Sequence, residues 1–165
     1  MGSGFGARVD QEICSAALGM WKESGRRIRL QVATDSMMPI IRPGDSVIIR
    51  MGNVDRVRPG DIVAYTRNDR VFVHRLLRVT LRGGHRCFWQ QGDALSGWGS
   101  FDEEAFVGMV ESVYRGRTVL HMDREPWRVI NRGVGLLGMI RIKALETARW
   151  LRHRKTGRRK STTNR

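Results

Sequence analysis

Cysteine is scarce in this chain. Cys14 and Cys87 lie far apart and in no CxxC pair, which argues against a disulfide framework or a cysteine-zinc site. No run of about 18–20 apolar residues occurs, so no transmembrane helix is encoded. Residues Met1 to Asp10 are glycine-rich and lack the apolar centre of a secretory signal peptide. On these grounds the expected location is cytoplasmic or peripherally membrane-associated. Lysine is nearly missing too: Lys22, Lys143, Lys155 and Lys160 are the only ones, and the remaining basic residues are arginine. Acidic residues are outnumbered 16 to 30, for a net charge of +14. Such a balance favours an acidic partner, whether lipid headgroups, nucleic acid or an acidic peptide. His85, His121 and His153 show no metal-ligand spacing, so neither a metal nor another cofactor is expected.

What is present suits one folded domain with terminal extensions. The chain has 165 residues, and 41% of them are hydrophobic, too many for a disordered protein. Residues Asp10 to Ser24 read as a short amphipathic helix, with Ile13, Ala16, Ala17, Met20 and Trp21 on one stripe. Asp10 suits its N-cap and Gly25 its end. From Arg27 to Val32 apolar and polar residues alternate, as in a half-buried strand. An internal echo follows. Arg42-Pro43-Gly44-Asp45 and Arg58-Pro59-Gly60-Asp61 each fit a type II turn, and each launches a β-branched strand. Further strands are expected over Arg70–Thr80, with His74 inside it, and over Arg86–Gln91, Phe106–Tyr114 and Arg117–Met122.

The fold class predicted from about seven strands is mainly β and antiparallel. The β-rich domain is bounded at 27–127, between an N-terminal extension (1–26) and a basic C-terminal helix and tail (128–165). In that last segment Leu137, Ile140, Ala144, Ala148 and Leu151 form a stripe, with Arg141, Lys143, Arg149 and Arg152 off it. Such a helix either packs on the domain with a solvated basic face or rests on an anionic membrane. Gly133, Gly135 and Gly138 weaken its start. The stretch from Arg152 to Arg165 is the most densely basic and is expected to have little fixed structure.

One constellation carries chemistry. Ser36-Met37-Met38-Pro39 is followed in order by Gly44-Asp45, Gly60-Asp61, His74-Arg75 and Gly92-Asp93. Over roughly residues 31 to 122 this resembles the signal peptidase family, in which Ser-Met-x-Pro carries the nucleophile. The resemblance implies an antiparallel signal-peptidase-like β domain and a serine endopeptidase that removes leader or signal segments from a peptide or preprotein. Ser36 would be the nucleophile. Some members use a lysine base and others a histidine; no lysine lies between Lys22 and Lys143, and His74 matches the histidine type. A neutral imidazole suits the task, because a serine hydroxyl needs a base to take its proton as it attacks. Without the motif, His74 would read as a core histidine bonded to a backbone carbonyl.

The resemblance also implies an oxyanion hole from the Ser36 N–H and the Thr34 hydroxyl. Met37 and Met38 would shape the substrate pocket. Asp102 or Asp93 would hold the second imidazole nitrogen, Asp102 in a longer spacing than usual and Asp93 as a turn residue or substitute. The family's usual glycine before the nucleophile is Asp35 here. Two other readings stand beside this one. A catalytically silent peptide-binding module would keep the groove without turnover. A self-cleaving repressor shares the Ser-Met motif but uses lysine and needs a larger domain ahead of the nucleophile. Nucleic-acid binding by the basic tail would be an added property and is not favoured.

Overall fold

The computed structural model describes residues 26–52 and 54–159. The helix expected over Asp10–Ser24 lies outside them, as do the last residues of the basic tail, 160–165. The strands are β1 (Arg27–Gln31), β2 (Ser46–Met51), β3 (Ile62–Arg67), β4 (Arg70–Arg82), β5 (His85–Gln91), β6 (Gly99–Asp102), β7 (Phe106–Arg115) and β8 (Thr118–His121). A single α-helix among the described residues, α1 (Trp127–Arg159), follows them. The mainly β, antiparallel class is therefore as expected. β6 was not anticipated, because Gly-Ser-Phe-Asp has no alternation to announce it; pairing with β5 makes it a strand.

All eight strands join one antiparallel sheet in the order β1-β2-β7-β3-β4-β5-β6, with β8 on β7. β2 runs along one side of β7, while β3 and β8 share the other side, β3 at the start of β7 and β8 at its end. The strand faces follow the alternation of the sequence. Val47, Ile49 and Met51 of β2 are fully buried, and the residues between them are not. They join Met37, Ile41, Ile62, Ala64 and Val107 in one apolar cluster. A second cluster gathers Val63, Tyr65, Leu76, Phe88, Phe101 and Phe106, with the Tyr65 and Phe101 rings stacked 4.3 Å apart. Burying each such side chain stabilises the fold by about 1.5–3 kcal/mol relative to exposure.

The two Pro-Gly turns form as the sequence predicts. Asp45 N–H donates to the Arg42 carbonyl at 3.1 Å and Asp61 N–H to the Arg58 carbonyl at 3.0 Å. Gly44 and Gly60 take φ of +89° and +100°, the left-handed value that the third position of a type II turn requires.

Helix α1 packs on the domain, but not through the Leu137–Ile140 part of its apolar stripe. Two glycines near its start form its contact face: a Cβ on Gly135 would meet the Gly60 Cα at 2.6 Å, and one on Gly138 the Leu77 Cδ2 at 3.0 Å. Only a helix without side chains there approaches the sheet so closely. Leu137 and Ile140, expected on a packing or membrane-facing stripe, are 67% and 56% exposed. The basic stretch from Arg152, expected to lack fixed structure, is helical as far as Arg159. Cations in the last turns of a helix are favoured by its dipole.

Candidate active site

Ser36 sits in a run of turns between β1 and β2. Met38 N–H donates to the Asp35 carbonyl at 2.9 Å and Ile41 N–H to the Met37 carbonyl at 3.0 Å. Met37 anchors this segment in the core at 2% exposure. A second loop crosses it from behind. Ala94 N–H donates to the Ser36 carbonyl at 3.0 Å, and a Cβ on Gly92 would lie 2.6 Å from that oxygen. Glycine is therefore required at 92 for the two loops to meet. The Ser36 side chain stays half-buried, with its Oγ 3.3 Å from Thr34 Oγ1.

β4 brings His74 to the same place. Ser36, Thr34, Met37 and His74 line one cavity of about 470 Å³, whose remaining wall is largely apolar: Leu30, Val32, Val47, Val71, Val73 and Leu95. A second cavity, of about 480 Å³, also reaches His74 and is lined by Tyr65, Asn68, Gln90 and Trp98 among others. Met38 is 41% exposed and is not part of either wall. Asp35, next to Ser36, is exposed.

The imidazole is buried and held by neutral groups. His74 Nδ1 lies 2.6 Å from Gln90 Oε1 and 3.1 Å from the Tyr65 hydroxyl. A carbonyl oxygen only accepts, so the Gln90 contact places the proton on Nδ1 and the lone pair on Nε2. Among the described residues no hydrogen bond takes Nε2. Burial pushes the His74 pKa below its usual 6.5, against the opposing influence of the Gln90 hydrogen bond and the Asp93 charge. Burial therefore favours the neutral ring.

Neither aspartate expected on Nδ1 is found there. Asp93 is turned to the other side of β4, where its two oxygens accept from Arg75 Nε and Nη2, both at 2.7 Å. Asp102 is exposed on β6, opposite Cys87. The cause is strand parity. In the hairpin β4–β5 the pairing shifts between Leu76 and Arg78, so that Gln90 pairs with Leu76 and Gln91 with Arg75. Residues two apart share a face, which groups Gln90 with His74 and Asp93 with Arg75.

Arg75 ties the scaffold behind the site together. Beyond Asp93, its Nη1 donates to the Gly60 carbonyl at 2.7 Å and to Asn131 Oδ1 at 3.0 Å. One buried guanidinium thus joins β4, the second Pro-Gly turn, the start of α1 and the loop that clasps Ser36. Sequence reasoning missed Gln90 and Tyr65; a glutamine and a tyrosine inside strands carry no signal until the register is known.

A family model described as Peptidase S24-like matches residues 3–87, just over half of the chain. The matched span contains the Ser36 turn and His74, and it ends before Gln90, Asp93 and Asp102. No curated protein matches the chain.

Proposed function

As the chain belongs to the Peptidase S24-like family, we propose that it is a serine endopeptidase resembling signal peptidases, with Ser36 as nucleophile and His74 as general base. The observation that carries the reading is that Ser36 and His74 border one cavity, with Gln90 Oε1 2.6 Å from His74 Nδ1. Ser36 Oγ attacks the scissile carbonyl carbon while His74 Nε2 takes its proton. As the C–N bond breaks, the imidazolium returns that proton to the departing amine, and water then hydrolyses the acyl-enzyme. The oxyanion is met by the Ser36 N–H and the Thr34 hydroxyl; one such donor is worth about 10²–10³ in kcat. Asp35 is exposed, where water screens its charge.

An extended leader or signal segment is the substrate class. β1 is the outermost strand of the sheet on this side, and its end, Leu30 and Gln31, borders the cavity. A peptide adding along β1 would reach Ser36 by backbone hydrogen bonds, with its apolar side chains against Val32, Val47 and Val71. Cleavage of a peptide library, read by mass spectrometry, tests this. Wild type is expected to give internal cuts, and Ser36→Ala and His74→Ala none; equal cutting by either variant would sink the assignment.

One observation favours a second reading. A glutamine on Nδ1 cannot neutralise an imidazolium as a carboxylate does, which suits a binding module that keeps the groove without turnover. In that case the library yields retained, uncut peptides.

A further inference from the structure

Five aliphatic side chains near the start of α1 are exposed to solvent. Its inner side is made of Asn131, 3% exposed, with Gly135 and Gly138 set against Gly60 and Leu77. On the opposite side Val129, Leu136 and Ile140 are 61%, 55% and 56% exposed; spaced by seven and four residues, they form one row. Ile130 and Leu137, 40% and 67% exposed and seven apart, form the adjoining row. Exposed cations border both edges, Arg132 and Lys143 along the first row and Arg141 along the second. Glu146 is the only acidic residue in the sequence from Trp127 to Arg159.

We propose that this outer face of α1 lies on the surface of an anionic lipid bilayer. Aliphatic side chains between two cationic edges match an interface whose upper layer is negatively charged and whose lower layer is hydrocarbon. The charge alone would equally suit a nucleic acid, but five exposed aliphatic residues have no role on a phosphate backbone. The geometry is that of a helix lying in the interface: among the described residues no helix is long and apolar enough to cross a membrane. The glycine contact helps, because a helix seated through Gly135 and Gly138 leaves the aliphatic rows on its far side uncovered. This inference is independent of the peptidase reading.

Co-sedimentation of the full chain with phosphatidylcholine vesicles, with and without phosphatidylserine, tests it. The chain is expected to pellet with the anionic vesicles only. The double variant Leu137→Ser/Ile140→Ser is expected to bind at least about tenfold more weakly, since removing even one well-inserted aliphatic side chain costs that much. Its thermal unfolding should match wild type, because both side chains are exposed. Three outcomes overturn the proposal. The chain stays in the supernatant with anionic vesicles; or the double variant binds them as tightly as wild type, which marks adsorption by charge alone; or the double variant unfolds at a lower temperature, which marks a face already covered by the chain itself. Tighter binding to duplex DNA than to the vesicles, unaffected by the two serines, would assign the cationic edges to nucleic acid instead.

Discussion

His74 and Arg75 are neighbours on β4 and point into opposite chemistry. Arg75, 1% exposed, is held by a carboxylate and three backbone or side-chain oxygens. His74 is held by an amide and a phenol, both neutral. The carboxylates follow the same division elsewhere: Asp45 is paired with Arg115, and Glu111 with Arg27 and Arg50. In this chain opposite charges are joined where strands and loops must be fixed, and His74 is kept in a neutral, buried setting that holds its pKa down. An uncharged imidazole is ready to accept a proton, at the cost of weaker support once it has one.

Breaking each side of this comparison should give a different kind of loss. The largest effect belongs to His74→Ala, expected to lower kcat by about 10⁴-fold or more while unfolding stays near wild type. Asp93→Ala should do the reverse in kind. It leaves the Arg75 guanidinium buried and unpaired, and a loss of about 3–5 kcal/mol in chemical denaturation is expected. Activity would fall only as the clasp on Ser36 loosens.

Gln90 sharpens the comparison further. Gln90→Leu removes the acceptor that selects the tautomer, and a drop of about 10–100-fold in kcat is expected. Gln90→Glu would place a carboxylate where histidine-type peptidases are expected to have one. The His74 pKa then rises, and the acid limb of kcat/KM moves to higher pH. In wild type that limb should lie below pH 6.5, since burial lowers the His74 pKa from that value. The smallest effect concerns Glu111, whose paired arginines hold its pKa down at about 2, from 4.5. A depressed carboxyl stabilises the fold above its unfolded pKa, and that contribution is lost as pH falls from about 4.5 through about 2. Glu111→Gln should flatten the stability profile in that window and leave the His74 limb unchanged.

Much of the fold was legible because alternation and turn chemistry are local. Ile28 and Leu30 announced β1, the two Arg-Pro-Gly-Asp turns announced β2 and β3, and His74 fell within a strand as expected. The Ser36-Met37-Met38-Pro39 and His74-Arg75 motifs pointed to the residues that the sheet brings to one cavity. What was hidden is what register decides. Counted back from the Gly83-Gly84 turn without interruption, Gln90 would pair with Leu77 and face Arg75. The irregularity between Leu76 and Arg78 moves it beside His74. No residue type announces that shift, so the partner of the imidazole was sought among aspartates. Gly135 of α1 misled for a related reason: it lowers helix propensity, yet the approach to Gly60 requires it.

The central claim is that Ser36 is activated by a neutral His74. Reaction with a fluorophosphonate, followed by peptide mapping across a pH series, tests it most directly. The account predicts an adduct on Ser36, a rate that rises with deprotonation of a group of pKa below 6.5, and loss of labelling in His74→Ala. Absence of an adduct, or equal labelling rates in wild type and His74→Ala, would contradict it.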